Sequence, residues 1–344
     1  MNHTLNFMSM STSDFFSDIS MSDEPFLNPS NARLTAYPIK YPDIWAMYKK
    51  QRASNWEVEE VELDKDFDDF QKLTQKEQHF IKYVLAFFAG SDGLVNLNLV
   101  ENFIDDVTSY EAKMCYRFQA SMEDVHNEMY SLLLETLIRD QNEKDHLMNA
   151  LETIPCIKKK GEWTQRWINS QDSFAKRIFA FAIVEGVFFS GSFCAIFWIG
   201  TKNLMPGLIK SNQFISRDEG MHTDFACLIY SKLHNRLSLE EAHDMMREAV
   251  DLEKEFINGA LPYRLPAMNA GLMSQYIEYV ADVMLSMMGY DPLYRSVNPF
   301  PFMEKISLET KSNFFEHNPS EYQKASVNNS ANDGKGHLTI IDDF

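Results

Sequence analysis

Cysteine is scarce. The 344 residues include four, Cys115, Cys156, Cys194 and Cys227, and no two form a Cys-x-x-Cys pair. That argues against a disulfide framework or a zinc–cysteine site, and a reducing, cytoplasmic setting is the simpler expectation. Glycine and proline are also few, 13 and 12, which disfavours turn-rich β architecture. Positive charge is outweighed: 32 Lys and Arg face 50 Asp and Glu, a formal net charge of -18. Such a surface repels phosphate backbones, so no nucleic-acid partner is expected. The opening stretch, MNHTLNFMSMSTSDFF, lacks a basic region followed by an apolar core, so no secretory leader is expected.

One long apolar run stands out. Residues 178–200, IFAFAIVEGVFFSGSFCAIFWIG, are 23 residues with a single charge. Length alone would let them cross a bilayer. No second segment compares with it, however, and Glu185 sits near its middle. A helix apolar all round also fits the core of a large protein, so no membrane is expected. Glu185 then needs a partner, because an isolated buried carboxylate is costly.

What is abundant is helix signal. Apolar residues are 45% of the chain, with 26 Phe and 19 Met. Thr74 and Glu77 have capping-box spacing, as do Thr108 and Glu111, and Ser238 and Glu241. Ile81, Val84, Leu85, Phe88, Asp92, Val95, Leu99 and Phe103 share one face of the first of these helices. Further helices are predicted over about 172–200, 212–234 and 267–289, with Pro206 as an interruption. Residues 1–30 and 318–344 are polar and aperiodic, and are expected to be a disordered N-terminal segment and a flexible tail around a domain at 31–317. The expected fold class is all-α, a helical bundle.

Glu-x-x-His occurs four times, so the pattern alone is weak. Glu143-His146 lies in a polar stretch and Glu240-His243 in a capped first turn, so both are read as surface pairs. Glu123-His126 and Glu219-His222 lie inside long apolar helices. Residues three apart share a helix face, so one carboxylate and one imidazole can grip the same ion. Asp92 and Glu185 each interrupt another apolar helix. Two Glu-x-x-His helices with two single-carboxylate helices are the ligand set of ferritin-like di-metal bundles. Four carboxylates balance two divalent cations, which answers the cost of burying Glu185. Tyr130 follows Glu123 by seven residues, about 10 Å along the helix and nearly on the same face. Phe189, Phe193 and Ile215 fall at helical spacing from Glu185 and Glu219, where they would wall the site with apolar groups.

The stretches FFAGSDGLVNLNLVENF, FQASMEDVHNEMYS, VEGVFFSGSF, MPGLIKSNQFISRDEGMHTDFACL and NPFPFMEKISLETKSNFFE resemble the eukaryotic and viral class I ribonucleotide reductase small subunit. The resemblance begins near residue 33 and implies a ferritin-like bundle with a di-metal carboxylate site in its core. Asp92, Glu123 and His126 would bind one metal, and Glu185, Glu219 and His222 the other. The family suggests two iron ions, although hard oxygen ligands and His also accept manganese. Tyr130 matches the radical tyrosine, and Phe189, Phe193 and Ile215 match its apolar pocket. Trp56 matches the tryptophan of the radical-transfer path, with Asp218 linking it to His126. Tyr322 matches the tail tyrosine of that path, and the last residues, LTIIDDF, resemble a tail that docks into the large subunit. A homodimer is implied. Leu97 departs from the family, where a polar or acidic residue is expected, as does the stretch at 114–117. A di-iron oxidase or ferroxidase on the same fold, and a non-catalytic partner subunit, stay open as alternatives.

Overall fold

Helix starts follow local chemistry where side chains were free to cap. Glu77 N–H meets Thr74 Oγ1 and Thr74 N–H meets Glu77 Oε2, closing the predicted capping box. The computed structural model describes residues 24–260 and 268–303. In chain order its helices are α1 (Pro42–Ala53), α2 (Asp66–Lys72), α3 (Gln75–Asp106), α4 (Tyr110–Leu137), α5 (Gln141–Met148), α6 (Pro155–Ile168), α7 (Phe174–Gly200), α8 (Pro206–Ser231), α9 (Leu239–Ala260) and α10 (Ala270–Met287). The chain divides into two units, Met1–Phe300 and Pro301–Phe344, and α1 to α10 all lie in the first. The tail boundary expected at residue 318, Tyr322 and the LTIIDDF end lie outside the described residues, as do residues 1–23.

Two helix starts differ from the sequence expectation. Ser109, not Thr108, caps α4, accepting from Ala112 N–H. Thr108 is drawn away, donating to the carbonyls of Phe26 and Asn28, while Glu111 accepts from Arg33 and the Lys40 N–H. Pro206 does not interrupt a helix but opens α8 at its first position, where no N–H is needed. The following amides, Gly207 and Leu208, donate to the Asp66 carboxylate of α2 at 3.0 and 2.7 Å. Glycine is required at 207, because a Cβ would lie 2.4 Å from the Glu62 carbonyl oxygen.

Helices α3, α4, α8 and α7 pack in a closed ring, each against the next, which gives the ferritin-like bundle. The predicted face of α3 is buried throughout, Asp92 included. Both α3 and α7 are long and apolar enough to cross a membrane, so the apolar run of α7 is not alone as the sequence suggested. In α7, 94% of the most apolar window is covered by protein. Each of these two helices also widens by a π turn, at Leu99–Phe103 and at Val184–Phe188.

Candidate metal centre

The bundle brings the six expected ligands to its interior from four helices. Asp92 comes from α3, Glu123 and His126 from α4, Glu185 from the π turn of α7, and Glu219 and His222 from α8. All six are at most 2% exposed. Ligand atoms of Glu123, Glu185, Glu219 and His222 lie within 4.8 Å of one another. His126 Nδ1 is 3.0 Å from Glu219 Oε1 and 3.3 Å from Glu123 Oε2. His222 Nδ1 is 2.9 Å from Glu123 Oε1 and 3.3 Å from Glu219 Oε2. Both imidazoles thus turn Nδ1 toward the carboxylates.

The charges are strained without cations. Burial, then the charge of Glu123, pushes the Asp92 carboxyl well above its usual range. Burial, then the charges of Glu219 and Glu123, does the same to Glu185. Burial also opposes ionisation of Glu219, yet the Glu185 carboxyl and the His222 imidazolium beside it hold its pKa low. His222 is opposed by burial but lifted to about 9 by Glu219 and Glu123. Asp92 Oδ2, both Glu123 oxygens, Glu185 Oε2, Glu219 Oε1 and His126 Nδ1 are buried without a well-formed hydrogen bond. Each orphan of this kind costs roughly 1–3 kcal/mol. Oxygen and imidazole donors left bare in one cage fit a pair of divalent metals, and suit iron or manganese.

Asp218 ties the cage to Trp56. Its Oδ2 accepts from Trp56 Nε1 at 2.8 Å and lies 3.3 Å from His126 Nε2. A proton on Nε2 leaves Nδ1 free as a ligand atom. Arg217 holds the other oxygen, Oδ1, and donates to the Ser54 carbonyl, which anchors the loop bearing Trp56.

Tyr130 is buried and its hydroxyl has no hydrogen-bond partner. Phe88 stacks on its ring at 4.4 Å and 3°. Phe189 and Phe193 pack against Phe88 at 5.4 and 4.9 Å, and Ile215 is buried on α8. Phe88 is the pocket residue that the sequence reading missed as such. Its position four residues before Asp92 was the available signal. Gln119 was missed as well, four residues before Glu123, and it donates to Glu185 Oε1 at 2.9 Å.

The other two Glu-x-x-His matches stay at the surface. Glu143 pairs with Lys82 and His146 is exposed, while Glu240 is exposed and His243 bonds the Asp291 carbonyl. A depression of about 400 Å³ between α3 and α4 reaches Asp92 and Glu123, with the half-exposed Leu97 at its rim.

Residues 33–299 match the family model described as ribonucleotide reductase, small chain. The chain belongs to that family. A ribonucleoside-diphosphate reductase small chain from Arabidopsis thaliana is 54% identical over 94% of this chain and 95% of its own length. The Dictyostelium discoideum small subunit of the same reductase is 53% identical, over 93% and 96%. Among solved structures, the Rnr4 homodimer of Saccharomyces cerevisiae is similar with a TM-score of 0.76 and 38% identity, covering 86% of this chain and 93% of that one. A ribonucleotide reductase small chain is an oxidoreductase component that works with a large subunit, and here it carries a buried Glu and His cluster suited to metal.

Proposed function

We propose that this chain generates and holds a tyrosyl radical on Tyr130 and passes it to the large subunit for reduction of ribonucleoside diphosphates. Asp92, Glu123 and His126 would hold one metal, and Glu185, Glu219 and His222 the other. Two iron ions are the assigned pair. A metal pair bound there would supply, with dioxygen, the oxidising power. One observation carries the reading: six orphaned donor atoms, from five of the six buried ligand residues, lie in the same bundle core as a buried tyrosine whose hydroxyl bonds to nothing.

Burial, then the Asp92 charge, keeps the Tyr130 phenol far above its ordinary pKa, so it rests protonated. Oxidation removes an electron and the phenolic proton together. Among the nearby charges, Asp92 bears most on the phenol; the electron and proton released would end in the reduction of dioxygen to water. The Phe88, Phe189, Phe193 and Ile215 wall keeps water and reductants from the neutral radical. The way out runs from His126 through Asp218 to Trp56. Beyond the described residues it continues through Tyr322, and the LTIIDDF end docks on the large subunit. The chain pairs with a second copy and works in the cytoplasm. A ferroxidase would not need the Trp56 link, and a non-catalytic partner would not need six ligands.

The test begins with metal-free protein given Fe(II) and oxygen. A tyrosyl signal is expected in electron paramagnetic resonance. Tyr130→Phe should keep two metals and lose that signal; an unchanged signal would mean another tyrosine carries the radical. Removing residues 338–344 should leave the radical intact and abolish reductase activity. Full activity of that truncation would refute the docking role.

A further inference from the structure

A second buried charge lies behind the site. Lys160 of α6 is 1% exposed, and its Nζ donates to Glu253 Oε2 of α9 at 2.5 Å. The two side chains are 93 residues apart in sequence. Burial pulls Lys160 down to about 8 and pushes Glu253 up to about 7. A buried pair of this kind is seldom better for stability than two apolar side chains. Its presence therefore asks what else it does.

The same Nζ donates to the Phe188 carbonyl at 2.8 Å. Phe188 closes the π turn Val184–Phe188, which carries Glu185 and is followed by the wall residue Phe189. A π turn shifts backbone pairing by one residue, so carbonyls at its exit call for other donors. Here two accept from side chains: Val187 from Ser190 Oγ at 2.7 Å, and Phe188 from Lys160. The ammonium also sits 3.3 Å from the centre of the Phe87 ring. Phe87 in turn packs edge-on against Phe189 at 5.7 Å. Gly191 allows Glu253 to reach this place, because a Cβ there would lie 2.6 Å from Glu253 Oε1.

We propose that Lys160 is a positioning residue that fixes the π turn of α7, and through it the Glu185 carboxylate and the Phe189 wall. The role rests on Glu185 being a metal ligand. Without Lys160 the turn is free to rewind toward regular α-helix, which rotates Glu185 and Phe189 away from the cage and from Phe88.

The test uses Lys160→Met/Glu253→Leu, which removes both charges at similar volume, beside Glu253→Gln, which leaves Lys160 able to bond Phe188. Hydrogen exchange on the full metal-free chain should quicken about tenfold or more at residues 184–189 in the double variant, with α6 and α9 still protected. With Fe(II) and oxygen, its radical should decay several-fold faster, and its Co(II) absorption spectrum should change. Glu253→Gln should match the parent in all three. Parent-like exchange, radical lifetime and Co(II) spectrum in the double variant would overturn the proposal. So would an opened turn in Glu253→Gln, a result that does not require the double variant to fold. Glu185→Ala is measured alongside. If it keeps both metals, the ligand reading fails, while the exchange experiment still judges Lys160.

Discussion

Two clusters of buried charge lie within the same bundle, and they are finished differently. In the carboxylate cage, six donor atoms lack well-formed hydrogen bonds, and the two imidazoles face negative charge from both sides. At Lys160 and Glu253 the cation has a carboxylate, a carbonyl and an aromatic face around it. The first arrangement is incomplete without positive charge from outside the chain. The second is closed around its cation, with a single carboxylate oxygen, Glu253 Oε1, left without a hydrogen bond. Buried charge therefore does not identify a metal site; several bare donor atoms converging from different helices, with no Lys or Arg among them, do.

Breaking the cage should have the largest effect. His222→Ala should lower bound metal from two per chain to one or fewer, counted by elemental analysis after Fe(II) loading. Retention of two would place the second site elsewhere. The closed pair should react next most strongly. Lys160→Met alone leaves Glu253 buried and unpaired, a loss on the order of 3–5 kcal/mol, measured by denaturant unfolding. A loss under about 1 kcal/mol would mean that water reaches Glu253.

The smallest effect sharpens the contrast through pH. His222 is raised to about 9 in the metal-free chain, so its charged form stabilises the fold. That stability is fully present below the unfolded value near 6.5 and is lost as pH rises through 9, a few kcal/mol at most. Thermal melts of metal-free protein should therefore fall between about pH 6.5 and 9. The metal-loaded chain should not share this decline, because a bound imidazole is already neutral. Parallel profiles for the two forms would remove His222 from the ligand set.

Much of the site was legible in one dimension. Glu123 with His126, and Glu219 with His222, were readable because three residues nearly complete a helical turn. Asp92 and Glu185 were readable as single charges in apolar stripes. The cap at Ser109, the start at Pro206 and the stack of Phe88 on Tyr130 were not read. The cap and the start depend on partners far away in sequence: Phe26 and Asn28 draw off Thr108, and Asp66 caps the helix that Pro206 opens. Phe88 and Gln119 carried a faint signal, each four residues before a ligand, which periodicity could not separate from ordinary core packing.

The sequence by itself determined the four helices that carry the ligands, which faces they bury, and that four carboxylates and two imidazoles lie on those faces. These follow from backbone periodicity and from the cost of burying charge, both local properties. Tertiary structure alone decided which donor atoms stay bare, that Asp218 joins His126 to Trp56, and that the helix bearing Glu185 widens into a π turn beneath Lys160. Those depend on distances between groups 28 to 162 residues apart, which only packing fixes.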